Sequence, residues 1–389
     1  MWTPRACGQR QFGGAARRWL ALGCPVRQTA RQAAGLLVLS GALALQACGG
    51  GGGGNGVTSP PPAAQCSAGV CYVRTAGNDA DSGDDPGHAL RTIAMAAQIA
   101  RDGYRIIVGP GTYREEVNTA RSGPAPSGLT FTADVTGAQT GDLRGPVVID
   151  VTGVSGAAGF NLSNAPGSVI DGFTITGASD SGIIIKSQSD DFMVRNCIVH
   201  DNPGNGIVVQ DSDSVLLFNN LVYGNGKFGI NITGVSSGSP NSRVINNTVY
   251  GNTIRGVTVG STQVASPAPF VRNNILQNNE GDSNFKIFTV PPDTTPRSDV
   301  NYQGDHNLVF PAGTYVPPAI QRPHDVNMDA LFVSVADGDF HLVSGSPAIN
   351  AGDSLNNFPD LKALLRAGTT SGAGNLDSGA LDIGYHYPS

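Results

Sequence analysis

Between Ile170 and Leu276 the chain writes one short pattern five times, and that repeat limits the fold to a stack of near-identical coils. Starting at Ile170, Val194, Leu217, Val244 and Val271, the text reads IDGFTI, VRNCIV, LFNNLV, VINNTV and VRNNIL, in steps of 24, 23, 27 and 27 residues. Twelve positions after the first four starts stands a glycine (Gly182, Gly206, Gly229, Gly256). Eight positions after the last four stands an asparagine (Asn202, Asn225, Asn252, Asn279). One such unit cannot bury its apolar face alone, so neighbouring units must cover it.

Each unit holds two short Ile/Val-rich runs separated by Asn, Gly and Asp, which is strand chemistry punctuated by turn chemistry. Leucines at fixed offsets are missing, and a propeller blade would need about forty residues per unit. The expected fold is therefore all-β: a single-stranded right-handed parallel β-helix, a solenoid clearest over 170–276. Strand alternation sends Ile183 and Ile185, Ile207 and Val209, Ile230 and Ile232, and Val257 and Val259 inward. Ile184, Val208, Asn231 and Thr258 then face out. Ile175, Val199, Val222, Val249 and Leu276 complete the interior. Asn196, Asn219, Asn246 and Asn273 share one offset, and Asn220, Asn247 and Asn274 share the next. In register, such side chains bond along the stack, and Asn tolerates the left-handed backbone of a tight corner.

The 389 residues carry a net charge of −6 with only 14% charged residues, which gives no basis for nucleic-acid binding. Residues 33–45 (AAGLLVLSGALAL) follow Arg27 and Arg31 and are too short to span a bilayer. With Leu45–Cys48 behind them they resemble a bacterial lipoprotein signal peptide, which implies lipidation of Cys48 and a membrane tie through that lipid only. An ordinary secretory signal is the alternative. The expected organisation is a signal over 1–47, a Gly/Pro-rich tether over 48–65 and a β-helix domain over 66–389, closed by a segment from about 325. Hypothesis: translation starts at Val26 from a GTG codon, leaving VRQTARQ as the basic leader; an essential region upstream would sink this. Export, to the outer membrane or cell surface by lipid or otherwise as a secreted protein, suits a disulfide between Cys66 and Cys71. Cys197, inside the repeat, is expected to be a buried free thiol. Residues 91–103 form an amphipathic helix, with Ile93, Ala96, Ala97 and Ile99 apolar, suited to capping the open end of the stack.

Tyr72–Val117 (YVRTAGNDADSG…RTIAMAAQIARDGYRIIVGPGTYREEV) resembles the opening of pectate-lyase-like right-handed parallel β-helix proteins, and is most similar to the family-nine lyase group. The closing stretch Asp339–Asp353 (DFHLVSGSPAINAGD) resembles the end of surface-anchored members, with LDIGYHY placing His386 where an acidic region is usual. The likeness covers nearly all of Cys66–Ser389. It implies a lysine base and a calcium ion held by aspartates, although the full aspartate set of the group has no match here. No organic cofactor is implied.

A polyuronate lyase removes the proton α to a carboxylate and needs a base and a neutralising cation. Of four lysines, Lys186 is best placed: it faces outward, stacked over Gln210 and Thr233. Beyond it lie two acidic turns, with Asp190 and Asp191 in one and Asp211 and Asp213 in the next. Asp190 and Asp213 occupy equivalent places, roughly 4.8 Å apart, a spacing suited to calcium. Turn and solvation roles are the bland alternative for all of these. His200, Tyr223 and Tyr250 form an aromatic row that either stacks on sugar rings or packs between coils. The acidic run Asp79–Asp85 reads as a structural turn. The functional expectation is a monomeric cell-envelope protein that acts on or binds an extracellular polysaccharide, an acidic one above all. It acts either as a calcium-assisted lyase or as a non-catalytic surface module for glycan or protein. Activity is to be sought where a coil breaks the pattern.

Overall fold

The structure, a computed structural model, describes residues 66–119, 125–288, 297–311 and 313–388. The signal peptide, the tether and Cys48 lie outside the described residues. Three parallel sheets run the length of the stack. Sheet I has nine strands, from Val70–Val73 to Gln303–Asp305; sheets II and III have eight each, from Gly111–Tyr113 to Leu308–Phe310 and from Val117–Asn118 to Tyr315–Val316. A coil contributes one strand to each, as in Met193–Arg195, Ile198–His200 and Asn205–Gln210. Each coil thus has three strands where two were expected. The cause is the corner asparagine: Asn196, Asn219, Asn246 and Asn273 adopt φ of 55°, 53°, 53° and 58°, splitting the first run in two. Among the described residues no helix is long and apolar enough to cross a membrane.

The register aligns equivalent residues from coil to coil, for example Ile183, Ile207, Ile230 and Val257. These four, with Ile185, Val209, Ile232, Val259, Ile175, Val199, Val222, Val249 and Leu276, are fully buried in one continuous interior. Asparagine ladders flank it. Asn202, Asn225 and Asn252 each donate Nδ2–H to the Oδ1 of the next asparagine at 2.8–2.9 Å, ending on Asn279. A second ladder runs Asn220, Asn247, Asn274, Asn307 at 2.9–3.0 Å. The recurring glycine is required by close approach: a Cβ on Gly229 would lie 2.4 Å from Val249 Cγ1. Cys197 occupies the second ladder's position one coil earlier and is buried and free; burial pushes its thiol up to about 12.

A seven-residue helix, α1 (Ile93–Ile99), lies at the N-terminal end with Ile93, Ala96 and Ala97 buried. It is shorter than the expected 91–103, because Thr92 caps it through Met95 N–H and the chain turns extended at Ala100. The Asp79–Asp85 run is structural: Asp79 accepts from Arg91 and Thr92 N–H, and Asp85 caps a short 3-10 turn. Cys66 and Cys71 form a disulfide at the first strand. Replacing both by serine is expected to cost at most about 2 kcal/mol, since so short a loop removes little unfolded-state entropy. The shift in denaturation midpoint of the double variant against wild type checks this.

The C-terminal segment folds back along the coils. It contains a hairpin (Phe332–Ser334 with Asp339–Leu342) and a helix, α2 (Pro359–Arg366). Leu355, Leu361, Leu365 and Leu381 cover Leu216, Phe218 and Ile245 on the outer face of sheet I. Ala330, Leu342, Ala348 and Ile383 cover Ile275 and Leu308 on sheet II. His386 is buried, its ring 3.0 Å from both Asp377 Oδ2 and Gly384 O. Its backbone N–H donates to Asn219 Oδ1, which fastens the chain's end to a corner asparagine.

Candidate functional site

Because the closing segment lies on sheets I and II, the outer face of sheet III is the flank that its apolar contacts leave untouched. The strands there are longer, up to six residues, and three outward rows run across them. The middle row is Asn161, Ile184, Val208, Asn231, Thr258 and Lys286. On one side stand Ala158, Ser181, Asn205, Phe228 and Arg255, and on the other Ser163, Lys186, Gln210 and Thr233. Ile184, Val208 and Thr258 face outward as expected, yet only 9%, 5% and 2% of their surfaces are exposed. They lie between the two side rows, while Asn161, Asn231 and Lys286 of the same row are half-buried. Ala158, Ile184 and Val208 form an apolar cluster of their own, separate from the interior.

Polar groups share this face. Lys186 stands beside Gln210 in register and forms no ion pair among the described residues. Further along, Asp282 accepts from Arg255 and from Lys286 Nζ at 2.9 Å. The Arg255 guanidinium, more than the opposing burial, holds the Asp282 carboxyl well below the usual range. Arg255 also lies 5.6 Å from the Phe228 ring centroid, and Lys286 Nζ 4.9 Å from that of Phe288.

The aspartates beyond Lys186 have a different use from the one expected. Asp211 Oδ1 accepts N–H groups from Val235, Ser236, Ser237 and Gly238 at 2.9–3.1 Å, so the extra residues of that coil wrap around it. Burial works against its ionisation, but those amides outweigh it and hold the carboxyl low. Asp190 Oδ1 accepts from Asp213 N–H at 2.7 Å, and Asp213 Oδ1 from Ser214 and Asn241. Asp191 is exposed at a corner with φ 53°. These four do not converge as a set of metal ligands among the described residues. Asp190, Asp211 and Asp213 each have an oxygen engaged in a turn, and the four carboxylates are not gathered around one point as a calcium shell requires.

The aromatic row packs between coils. His200 stacks on Tyr223 with centroids 5.0 Å apart, and Phe340 closes over Tyr223 and Tyr250 at 4.7 and 5.4 Å. Phe332 meets Tyr250 at 5.8 Å. The C-terminal segment occupies the surface a sugar ring would use.

Two features escaped the reading of the repeat. Ser189, Ser212, Ser239 and Ser266 form a hydroxyl ladder, each accepting the N–H one coil back, and they recur five residues before a start. A sixth copy, GDHNLV (Gly304–Val309), follows after 33 residues and pairs with VRNNIL. In it His306 stands at the corner position of Asn273, with φ 55°.

The continuous three-sheet stack makes this a right-handed parallel β-helix protein. Residues 137–285 match the family model described as "Right handed beta helix region". Pectate lyase Pel9A is similar over 82% of this chain and 96% of its own, at 14% identity and a TM-score of 0.46. For the GH136 lacto-N-biosidase from Eubacterium ramulus the values are 61% and 55%, 10% identity and 0.45, so the chain spans about half of that protein. A rhamnogalacturonan lyase gives 70% and 92%, 15% identity and 0.38. No curated protein matches the sequence.

Proposed function

We propose that this is an exported cell-envelope protein that binds an acidic extracellular polysaccharide along the outer face of sheet III. The observation that carries this reading is the outer face of sheet III that the closing segment leaves uncovered: an apolar cluster of Ala158, Ile184 and Val208 with Lys186, Gln210, Asn231 and Thr233 around it. Binding sites for small polar ligands and sugars combine such an apolar cluster with a few placed polar groups. Lys186 supplies a cation that no protein carboxylate neutralises among the described residues, and it suits a uronate or sulfate group. A lipid on Cys48 would hold the domain at the envelope.

That unpaired lysine also supports a second reading, cleavage by β-elimination. The Lys186 amine would take the proton α to the uronate carboxyl, the freed electron pair would form the α,β double bond, and the glycosidic oxygen would leave the β carbon with a proton from water. No step is assigned to calcium.

The test is titration calorimetry of the protein with pectate, alginate and glycosaminoglycan, at low and at raised salt. Lys186→Ala is expected to weaken the preferred polymer about tenfold or more, since a charge-assisted hydrogen bond contributes about 1.5–3 kcal/mol. Thermal stability should change little, and added salt should weaken wild type more than the variant. Equal affinity of both proteins for every polymer would overturn the sheet III face as the site. Absorbance of unsaturated uronates, with and without chelator, separates cleavage from binding: its absence alongside tight binding leaves a non-catalytic module.

A further inference from the structure

The sixth coil departs from its predecessors where the stack ends. At the corner where coils place asparagine, the last strand of sheet I places Asp305 and His306, and a returning segment brings in His324. One ligand atom from each of the three lies within 4.8 Å of the others, the one such group of three among the described residues. Asp305 Oδ2 stands 2.8 Å from His324 Nδ1 and 3.6 Å from His306 Nδ1. That second distance is too long for a hydrogen bond, and His306 Nδ1 is buried with no hydrogen-bond partner. The two imidazole rings lie face to face, with centroids 4.8 Å apart and 21° between their planes.

Local backbone positions these side chains. Asp305 Oδ1 accepts the N–H groups of His306 (3.0 Å) and His324 (3.2 Å). The second asparagine ladder ends one residue from each histidine, with Asn307 N–H donating to Asp325 Oδ1 at 2.9 Å. Asp325 Oδ2 accepts from Tyr315 Oη at 2.9 Å. Arg272, the register partner of Asp305, is turned to Asp353, which occupies its charge.

We propose that Asp305, His306 and His324 bind a divalent transition metal of the zinc class. Two imidazoles and one carboxylate suit a borderline ion such as Zn2+, whereas calcium prefers an all-oxygen shell of six to eight ligands. Three protein ligands leave a coordination position for water or a ligand atom. His324 is 64% exposed, so the site is reachable from solvent. The bound ion pins the segment before the closing hairpin to the last strand of sheet I, an edge that no further described strand pairs with.

The test uses the purified protein without a polyhistidine tag and Zn2+ alone as probe. Wild type is expected to take up one zinc per chain, to retain it through gel filtration, and to melt at a temperature that rises with zinc concentration. His306→Asn restores the residue used at the other corners, so the fold is kept while one ligand is lost. His324→Ala removes the exposed ligand. Each should bind zinc at least tenfold more weakly and lose the zinc-dependent rise in melting temperature. Excess Ca2+ should not displace the metal. A folded wild type that retains no zinc, variants that retain it as wild type does, or displacement by Ca2+ would each overturn the assignment.

Discussion

Asn247→Ala is expected to lower the unfolding free energy by about 4 kcal/mol, the sum of several stranded groups that each cost about 1–3 kcal/mol. Its Oδ1 accepts both the backbone N–H and an Nδ2–H of Asn220, each at 2.9 Å. Its Nδ2 donates to Leu217 O, Ile245 O and Asn274 Oδ1 at 2.9–3.1 Å. Asn220, Asn247 and Asn274 are all fully buried, so water cannot replace the lost partners. Urea denaturation should show a lower midpoint at unchanged slope. The exposed Asn357→Ala should stay within about 0.5 kcal/mol of wild type. A loss below about 1 kcal/mol for Asn247→Ala would mean that the ladder aligns the coils without stabilising them.

Phe340→Ala carries the second large effect, about 3–5 kcal/mol for a buried phenylalanine. Its ring is 3% exposed and meets Tyr223, Tyr250 and Phe332 at 4.7, 5.4 and 5.1 Å. The loss should be local at first. The closing segment lifts from sheet II, and brief proteolysis cuts it while the coils stay resistant. Hydrogen exchange should report faster exchange in residues 332–342 than in the interior strands. If the segment keeps its wild-type protection, the aromatic row is not what holds it, and Tyr223 and Tyr250 regain their standing as a surface for sugar.

Much of the interior was legible because its code is local. A strand sends alternate side chains to opposite faces, so Ile183 and Ile185 pointed inward from their spacing alone, and both are fully buried. The asparagines at 196, 219, 246 and 273 could be read as corners because few other residues accept a left-handed backbone. Lys186 was placed over Gln210 and Thr233 by counting, and the register agrees. The same counting put Asp190 and Asp213 side by side, where Asp190 accepts from Asp213 N–H, but it did not foresee the loop around Asp211. Offsets say which coil a carboxylate belongs to, but not which backbone amides curl onto it. Val235–Gly238 reach Asp211 only because the loop closes back on the previous coil.

By itself, then, the sequence determined the repeating coil, its inward rows and its ladders, since these follow from periodicity and from the backbone preferences of Asn and Gly. What covers each flank was decided only in three dimensions. The closing segment shares no period with the coils, and its leucines and aromatics choose sheets I and II by matching apolar surface there. That choice leaves the outer face of sheet III uncovered by the closing segment among the described residues and turns Tyr223 and Tyr250 into packing. Folding also joins Asp305 and His306 to His324 across eighteen residues of chain, a meeting no periodicity announces.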